Sequence, residues 1–217
     1  SKISEKAFKS YSNNTKTIKS FPLMWGDKNI NSNYKKFIHR KEKIILHAST
    51  FKSYFVRPWI YESPFEYILS VNQLIDAVKK FKDVTLVIRV RPTPECSFET
   101  LKKLIKKSNN VFLKKDGSFI DDLKKSSLLI SFSSTTIEEA LYYRVPVAIY
   151  GYSDRFNHFE GFDIPDENIK SAIYILNKKK LFNQLNKILV NHYNNPLSDN
   201  DLSNYIWNKK EVTLSKI

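Results

Sequence analysis

Between residues 43 and 150 the chain alternates short continuous apolar runs with stretches in which apolar positions recur every three or four residues. Continuous runs of Ile, Leu and Val predict strands buried on both faces, and the wider spacing predicts amphipathic helices. The strands fall at Lys43–Ala48, Val84–Val90, Val111–Leu113, Leu128–Phe132 and Val145–Tyr150. Between them, Pro64–Lys82 reads as a helix with Ile68, Val71, Ile75 and Val78 on one stripe. Ser97 is placed to cap a helix running through Ser108, with Phe98, Leu101, Leu104 and Ile105 facing inward. Phe119–Lys125 is a short helix after Asp116-Gly117. The fourth run stops at Ser133-Ser134-Thr135-Thr136, where Thr135-x-x-Glu138 and Thr136-x-x-Glu139 both fit the capping box that opens a helix. From Pro165 onward the pattern reads as helical, over Glu167–Leu176, Lys180–Tyr193 and Leu197–Lys209.

Strands alternating with amphipathic helices predict an α/β fold: a doubly wound, five-stranded parallel sheet ordered 3-2-1-4-5, followed by C-terminal helices. Residues 1–40 are polar, with Asn-rich spacers, and read as an N-terminal arm or linker. Its first 20 residues are expected to make few contacts, and its apolar patch Phe21–Trp25 to dock on the domain. Ser49–Pro64 reads as a long loop carrying Phe51, Tyr54, Phe55, Trp59 and Tyr61. A loop of that length inside a compact domain is usually functional.

Composition narrows the function classes. Of 217 residues, 41% are hydrophobic, enough for a packed core. The single cysteine, Cys96, excludes an intramolecular disulfide and a cysteine zinc cluster. Only four glycines are present, and neither a Walker A loop nor a GxGxxG loop occurs. No His/Asp/Glu spacing suggests a metal centre, and no GxSxG elbow supports a hydrolase. No apolar run approaches the roughly 20 residues needed to cross a bilayer. Ser1–Ser20 does not read as a signal peptide, so the expected location is cytoplasmic, extending to the inner face of a membrane. The net charge of +14 implies attraction to an anion, although compositional bias towards lysine accounts for it equally well.

In a doubly wound sheet the carboxyl ends of the central strands converge where such folds bind ligands. The first strand delivers His47, Ser49 and Thr50, and the second Arg89 and Arg91. The fourth delivers Ser133, Ser134, Thr135 and Thr136, then Glu138. Adjacent strands lie about 4.8 Å apart, so these groups can meet one phosphate-sized ligand. Arginine offers a bidentate fork for phosphate oxygens, and N–H groups opening a helix favour an anion.

These motifs resemble the C-terminal, nucleotide-sugar-binding half of GT-B glycosyltransferases, most closely those of bacterial surface-polysaccharide and teichoic-acid-type transferases. The resemblance rests on KIILHAST, on VIRVRP, on Ser133–Thr136 with Ile137-Glu138-Glu139-Ala140, and on Pro146–Gly151. It covers roughly Lys43–Gly151. It implies a Rossmann-like nucleotide-binding domain over 41–217 and a nucleotide-activated sugar as donor, with no separate cofactor. It also implies a glycan or lipid-linked acceptor, an N-terminal acceptor half that a chain of this length does not accommodate, and peripheral association with an anionic membrane. Two positions depart from the pattern. Arg91-Pro92 stands where the family has His-Pro, and Arg144 stands where glycine usually closes the helix before the last strand.

Each candidate has a plainer reading. The hydroxyls can serve as helix caps, Glu138 as a capping-box partner or a contact to a ribose or sugar hydroxyl, and Glu139 as capping or surface. Arg89, inside a strand, is expected to pair with a ligand or an internal carboxylate. His47 is a core histidine or a ligand contact. The loop aromatics stack a base or fill a gap, and His158 is a further candidate after the fifth strand. At the level of the whole chain the rivals are a nucleotide-sugar 2-epimerase half and a basic polyanion- or nucleic-acid-binding module. No RRM, KH or helix-turn-helix signature supports specific nucleic-acid binding.

Overall fold

The computed structural model describes Lys9 and residues 42–49, 62–91, 96–152, 171–193 and 195–205. The elements are β1 (Lys43–His47), α1 (Pro64–Val78), β2 (Val84–Arg89), α2 (Phe98–Leu104), β3 (Val111–Lys114), α3 (Phe119–Lys125), β4 (Leu128–Ser131), α4 (Thr136–Tyr142), β5 (Val147–Ile149), β6 (Ile173–Ile175), α5 (Leu181–His192) and α6 (Asp199–Leu202). The strands form one six-stranded sheet ordered β3-β2-β1-β4-β5-β6, and every pairing is parallel. The expected order 3-2-1-4-5 holds, with one further strand at the β5 edge.

Alternation along β1 places the two cores. Ile45 joins the buried cluster shared with α1, α2 and α5, while Leu46 joins the cluster shared with α3, α4 and α6. Helices therefore cover both faces, and the central strands are apolar on both sides for that reason. Ser63 opens α1 through a full capping box: its hydroxyl accepts from the Glu66 N–H at 3.3 Å, and the Glu66 carboxylate accepts from the Ser63 N–H at 2.8 Å. Ser97 and Ser118 cap α2 and α3 with their hydroxyls, each accepting the N–H three residues on.

The C-terminal region departs from the helical expectation. Ile173–Ile175 is a strand pairing with β5 through Val147↔Ile173 and Ile149↔Ile175, not part of a helix over 167–176. The expected helix over 197–209 is a single turn at Asp199–Leu202, with 206–209 outside the described residues. Helix α2 stops at Leu104 rather than Ser108. Leu104 is 53% exposed, whereas Leu101 and Ile105 are buried. The Asn72 side chain takes over at that end, accepting from the Lys106 N–H at 2.7 Å and donating to the Leu104 carbonyl at 3.3 Å. The arm patch Phe21–Trp25, the loop aromatics Phe51–Tyr61, Thr50 and His158 lie outside the described residues. Among the described residues no helix is long and apolar enough to cross a membrane.

Candidate functional site

At the carboxyl edge of the sheet, a cavity of about 630 Å³ opens between the ends of β1 and β2, the turn leading into α3 and the turn leading into α4. That volume is typical of small-molecule sites. Its lining joins Ser49, Arg89, Arg91, Ser134, Thr135 and Thr136, all drawn from the sequence-predicted set. Three further polar groups, Lys115, Ser118 and Glu139, complete it. Ser133, Glu138 and His47 do not line it.

Neither expected capping box forms at the start of α4. Thr135 occupies the N-cap position in a helical conformation and makes no side-chain cap bond. The preceding serine does that work instead. Ser134 Oγ accepts from the Thr136 N–H at 3.3 Å, and its carbonyl accepts from the Ile137 N–H at 3.2 Å. Shifting the cap back by one residue leaves the Ser134 and Thr135 N–H groups without a partner among the described residues. The Thr136 hydroxyl is likewise buried without one. Helix α4 is only seven residues long, so its macrodipole adds little and the local donors dominate.

Ser49 ties the first strand to the same turn. Its Oγ accepts from the Phe132 N–H at 2.8 Å, while Ser131 Oγ donates to the Ala48 carbonyl at 3.1 Å. Both bonds reach from the end of β1 across to the end of β4, fixing the spacing of two walls of the cavity.

The two arginines have different roles. Arg89 is held internally, by an ion pair to Asp122, a bond to the Asp116 carbonyl at 3.2 Å and another to the Gly117 carbonyl. Of the two partners expected for it, the structure supplies the carboxylate. Arg91, at the strand end, is exposed and meets no partner among the described residues. Lys115 lines the cavity and holds its ammonium over the Phe98 ring, 5.2 Å from the ring centroid. Arg89 is paired with Asp122, which leaves Arg91 and Lys115 as the lining cations outside that ion pair and Glu139 as the lining carboxylate.

His47 sits in the centre of the sheet between Ile88 and Ile130, 2% exposed. Its ring lies 6.1 Å from that of Tyr67, and its Nδ1 has no hydrogen-bond partner among the described residues. Burial drives its pKa down from 6.5 to about 4, so it is neutral at physiological pH. This is the core-histidine alternative. Glu138 faces Tyr142 one turn on, whose hydroxyl is pushed up to about 12 by burial and then by that carboxylate.

Lys115 and Ser118 were not singled out in the sequence, and Glu139 was read there only as capping or surface. Lys115 is one of 36 basic residues and carries no motif. The signal available for Ser118 was its place directly after Asp116-Gly117 and before a helix. Glu138 and Glu139 could be told apart only by the phase of α4, which the one-residue shift of the cap sets.

No family model matches the chain, and no curated protein is significantly similar to it. Solved structures do share its fold. A UDP-GlcNAc 2-epimerase from Methanocaldococcus jannaschii, solved in complex with UDP-GlcNAc and UDP, is 15% identical and has a TM-score of 0.51. The match covers 89% of this chain and 49% of that one. A putative UDP-N-acetylglucosamine 2-epimerase from Listeria monocytogenes is 16% identical, with a TM-score of 0.46 and coverage of 81% and 42%. The spinosyn rhamnosyltransferase SpnG is 12% identical, with a TM-score of 0.46 and coverage of 78% and 41%. The chain thus spans less than half the length of each of these proteins. Among the described residues no group of three or more His, Cys, Asp or Glu side chains is placed to hold a metal ion.

Proposed function

We propose that this chain is the nucleotide-sugar-binding unit of an enzyme acting on nucleotide-activated sugars. The observation that carries this reading is the cavity at the sheet's carboxyl edge. There Arg91 and Lys115 face the hydroxyls and unpartnered N–H groups of the turn into α4. Two cations and several fixed donors suit a diphosphate, and Glu139 offers an acceptor to a ribose or sugar hydroxyl. Arg91 and the turn would stabilise negative charge as it develops on a departing phosphate.

Two reactions use such a donor. A fold match with a TM-score of 0.51 is to a UDP-GlcNAc 2-epimerase, which supports 2-epimerisation ahead of the glycosyl transfer that the sequence resemblance suggested. Either reaction calls on a second half-domain, and transfer calls in addition on a glycan or lipid-linked acceptor. Incubating the enzyme, its second half-domain present, with UDP-N-acetylglucosamine alone separates them: an epimerase inverts the sugar at C2, seen by proton NMR, and a transferase leaves its configuration unchanged.

Calorimetric titration with UDP, CDP, CMP and UDP-N-acetylglucosamine tests the reading itself. Binding of a nucleoside diphosphate with weak salt dependence supports it. Absence of binding by all four at millimolar ligand overturns it. A steep loss of affinity with salt, shared by unrelated polyanions, would instead favour the polyanion-binding reading.

A further inference from the structure

We propose that Asp122 is a positioning residue of this cavity. Acting through Arg89, it fixes the wall that carries Lys115 and Ser118, and so makes the site select nucleoside diphosphates over bare pyrophosphate. The inference rests on the nucleotide-binding reading above.

Arg89 and Lys114 are the last residues of β2 and β3 and are register partners. Partners in parallel strands project to the same face, here the face covered by α3. Both reach the carboxylate of Asp122, with Lys114 Nζ at 2.5 Å from Oδ1 and Arg89 bonded to Oδ2. The Asp122 and Arg89 side chains are 11% and 15% exposed, so the carboxylate is nearly buried and balanced by two cations. The rest of the Arg89 fork is spent on the carbonyls of Asp116 and Gly117. Gly117, at φ 84, adopts the left-handed conformation that lets the chain turn there. The 116–118 turn is thereby tied to β2 at its apex and to α3 at its end, where Ser118 Oγ accepts from the Asp121 N–H at 3.3 Å. Lys115 immediately precedes this turn and Ser118 closes it, and both line the cavity opposite the 134–136 turn. Both ligands present a diphosphate to the lining cations and the 134–136 turn. Only a nucleoside diphosphate carries in addition a nucleoside to seat against the wall that Ser118 closes, so it depends on the placement of that wall more than pyrophosphate does.

The test compares UDP and inorganic pyrophosphate binding to wild type, Asp122→Asn and Arg89→Lys. Melting temperature and amide hydrogen exchange at 116–118 are read alongside. Asp122→Asn adds net positive charge, so a purely electrostatic role predicts equal tightening for both ligands. Positioning predicts that the UDP dissociation constant rises about tenfold relative to that of pyrophosphate, with faster exchange at 116–118. Arg89→Lys keeps the charge but loses the fork, so the same shift is expected. It carries the comparison alone if Asp122→Asn does not fold. If wild type binds UDP and neither variant changes the UDP-to-pyrophosphate ratio, the proposal is overturned. If wild type binds neither ligand, the nucleotide reading falls instead, and unchanged exchange at 116–118 would overturn the clamp as well.

Discussion

Arg144 donates from Nη1 to the carbonyl of Leu197 at 2.9 Å, joining the end of α4 to the segment that leads into α6. Its Nη2 also pairs with the exposed carboxylate of Asp199. The backbone of Arg144 has φ 59, the conformation that usually selects glycine. The Arg144 N–H donates to the Leu141 carbonyl at 3.0 Å and the Val145 N–H to the Ala140 carbonyl at 2.9 Å, the paired bonds of a Schellman ending. The helix therefore ends as a glycine would end it. The arginine side chain supplies an attachment that glycine lacks.

Substitution at Arg144 separates the two effects. Arg144→Ala loses the side-chain bonds and keeps a Cβ in the left-handed region, so it is expected to cost about 2–3 kcal/mol in urea denaturation, mostly from the Leu197 contact. The Asp199 pair adds little because that carboxylate is 90% exposed. Arg144→Gly loses the same bonds but relieves roughly 1 kcal/mol of backbone strain, so it is expected to be the milder change. A larger loss for glycine than for alanine would show that the backbone is unstrained.

Gly151 follows β5 under the ring of Phe132. A Cβ built there would overlap the Phe132 ring, 2.7 Å from Cε2, and lie 3.1 Å from the Glu62 carboxylate. Gly151→Ala is expected to destabilise by about 1–3 kcal/mol through overpacking. Pairing it with Phe132→Leu should recover much of that loss. Full additivity of the two changes in a double-mutant cycle would mean that ring and methyl never meet.

The central strands were legible because they are unbroken apolar runs too short for helices, bounded by turn residues, as strands buried on both faces are. Strand β6 was not, because Ile173–Ile175 is three residues long and no period can be resolved over that length. The end of α2 was misplaced because Leu104 keeps the helical spacing while pointing to solvent, and the stop comes from Asn72, 32 residues earlier in the chain. Within the site, residue types and strand ends placed Arg91, Ser49 and residues 134–136 together. The choice between Glu138 and Glu139 depended on which serine or threonine captures the first free N–H. That is decided by the bonds from Ser131 and Phe132 to β1, which are tertiary.

The buried His47 makes stability pH-dependent. Its folded pKa is lowered to about 4 against an ordinary 6.5, so between those values the unfolded chain binds a proton that the native state refuses. Stability is therefore full above about pH 6.5 and declines as the pH falls towards 4. The total loss is on the order of 3 kcal/mol, at about 1.4 kcal/mol per unit. Asp76 and Asp83, held below the usual carboxylate value by lysine partners, contribute only at lower pH. Urea midpoints measured across this interval should slope in wild type and flatten in His47→Leu. An equal slope in both would place the titrating group elsewhere.

Arg91 is the cation on the cavity lining that no internal group occupies, whereas Arg89 is consumed by Asp122 and two carbonyls. Charge-assisted hydrogen bonds are worth about 1.5–3 kcal/mol, so Arg91→Ala is expected to weaken nucleoside diphosphate binding roughly 10- to 150-fold. Ser134→Ala should cost less, because Thr136 Oγ1 and the N–H groups of Ser134 and Thr135 remain. Its larger effect should fall on thermal stability, since Ser134 Oγ is what caps the Thr136 N–H. Calorimetry on both variants, with a melting curve for each, checks the pair. Unchanged affinity in Arg91→Ala alongside binding by wild type would move the phosphate towards Lys115 on the opposite wall. A Lys115→Ala variant would then carry the loss that Arg91→Ala did not.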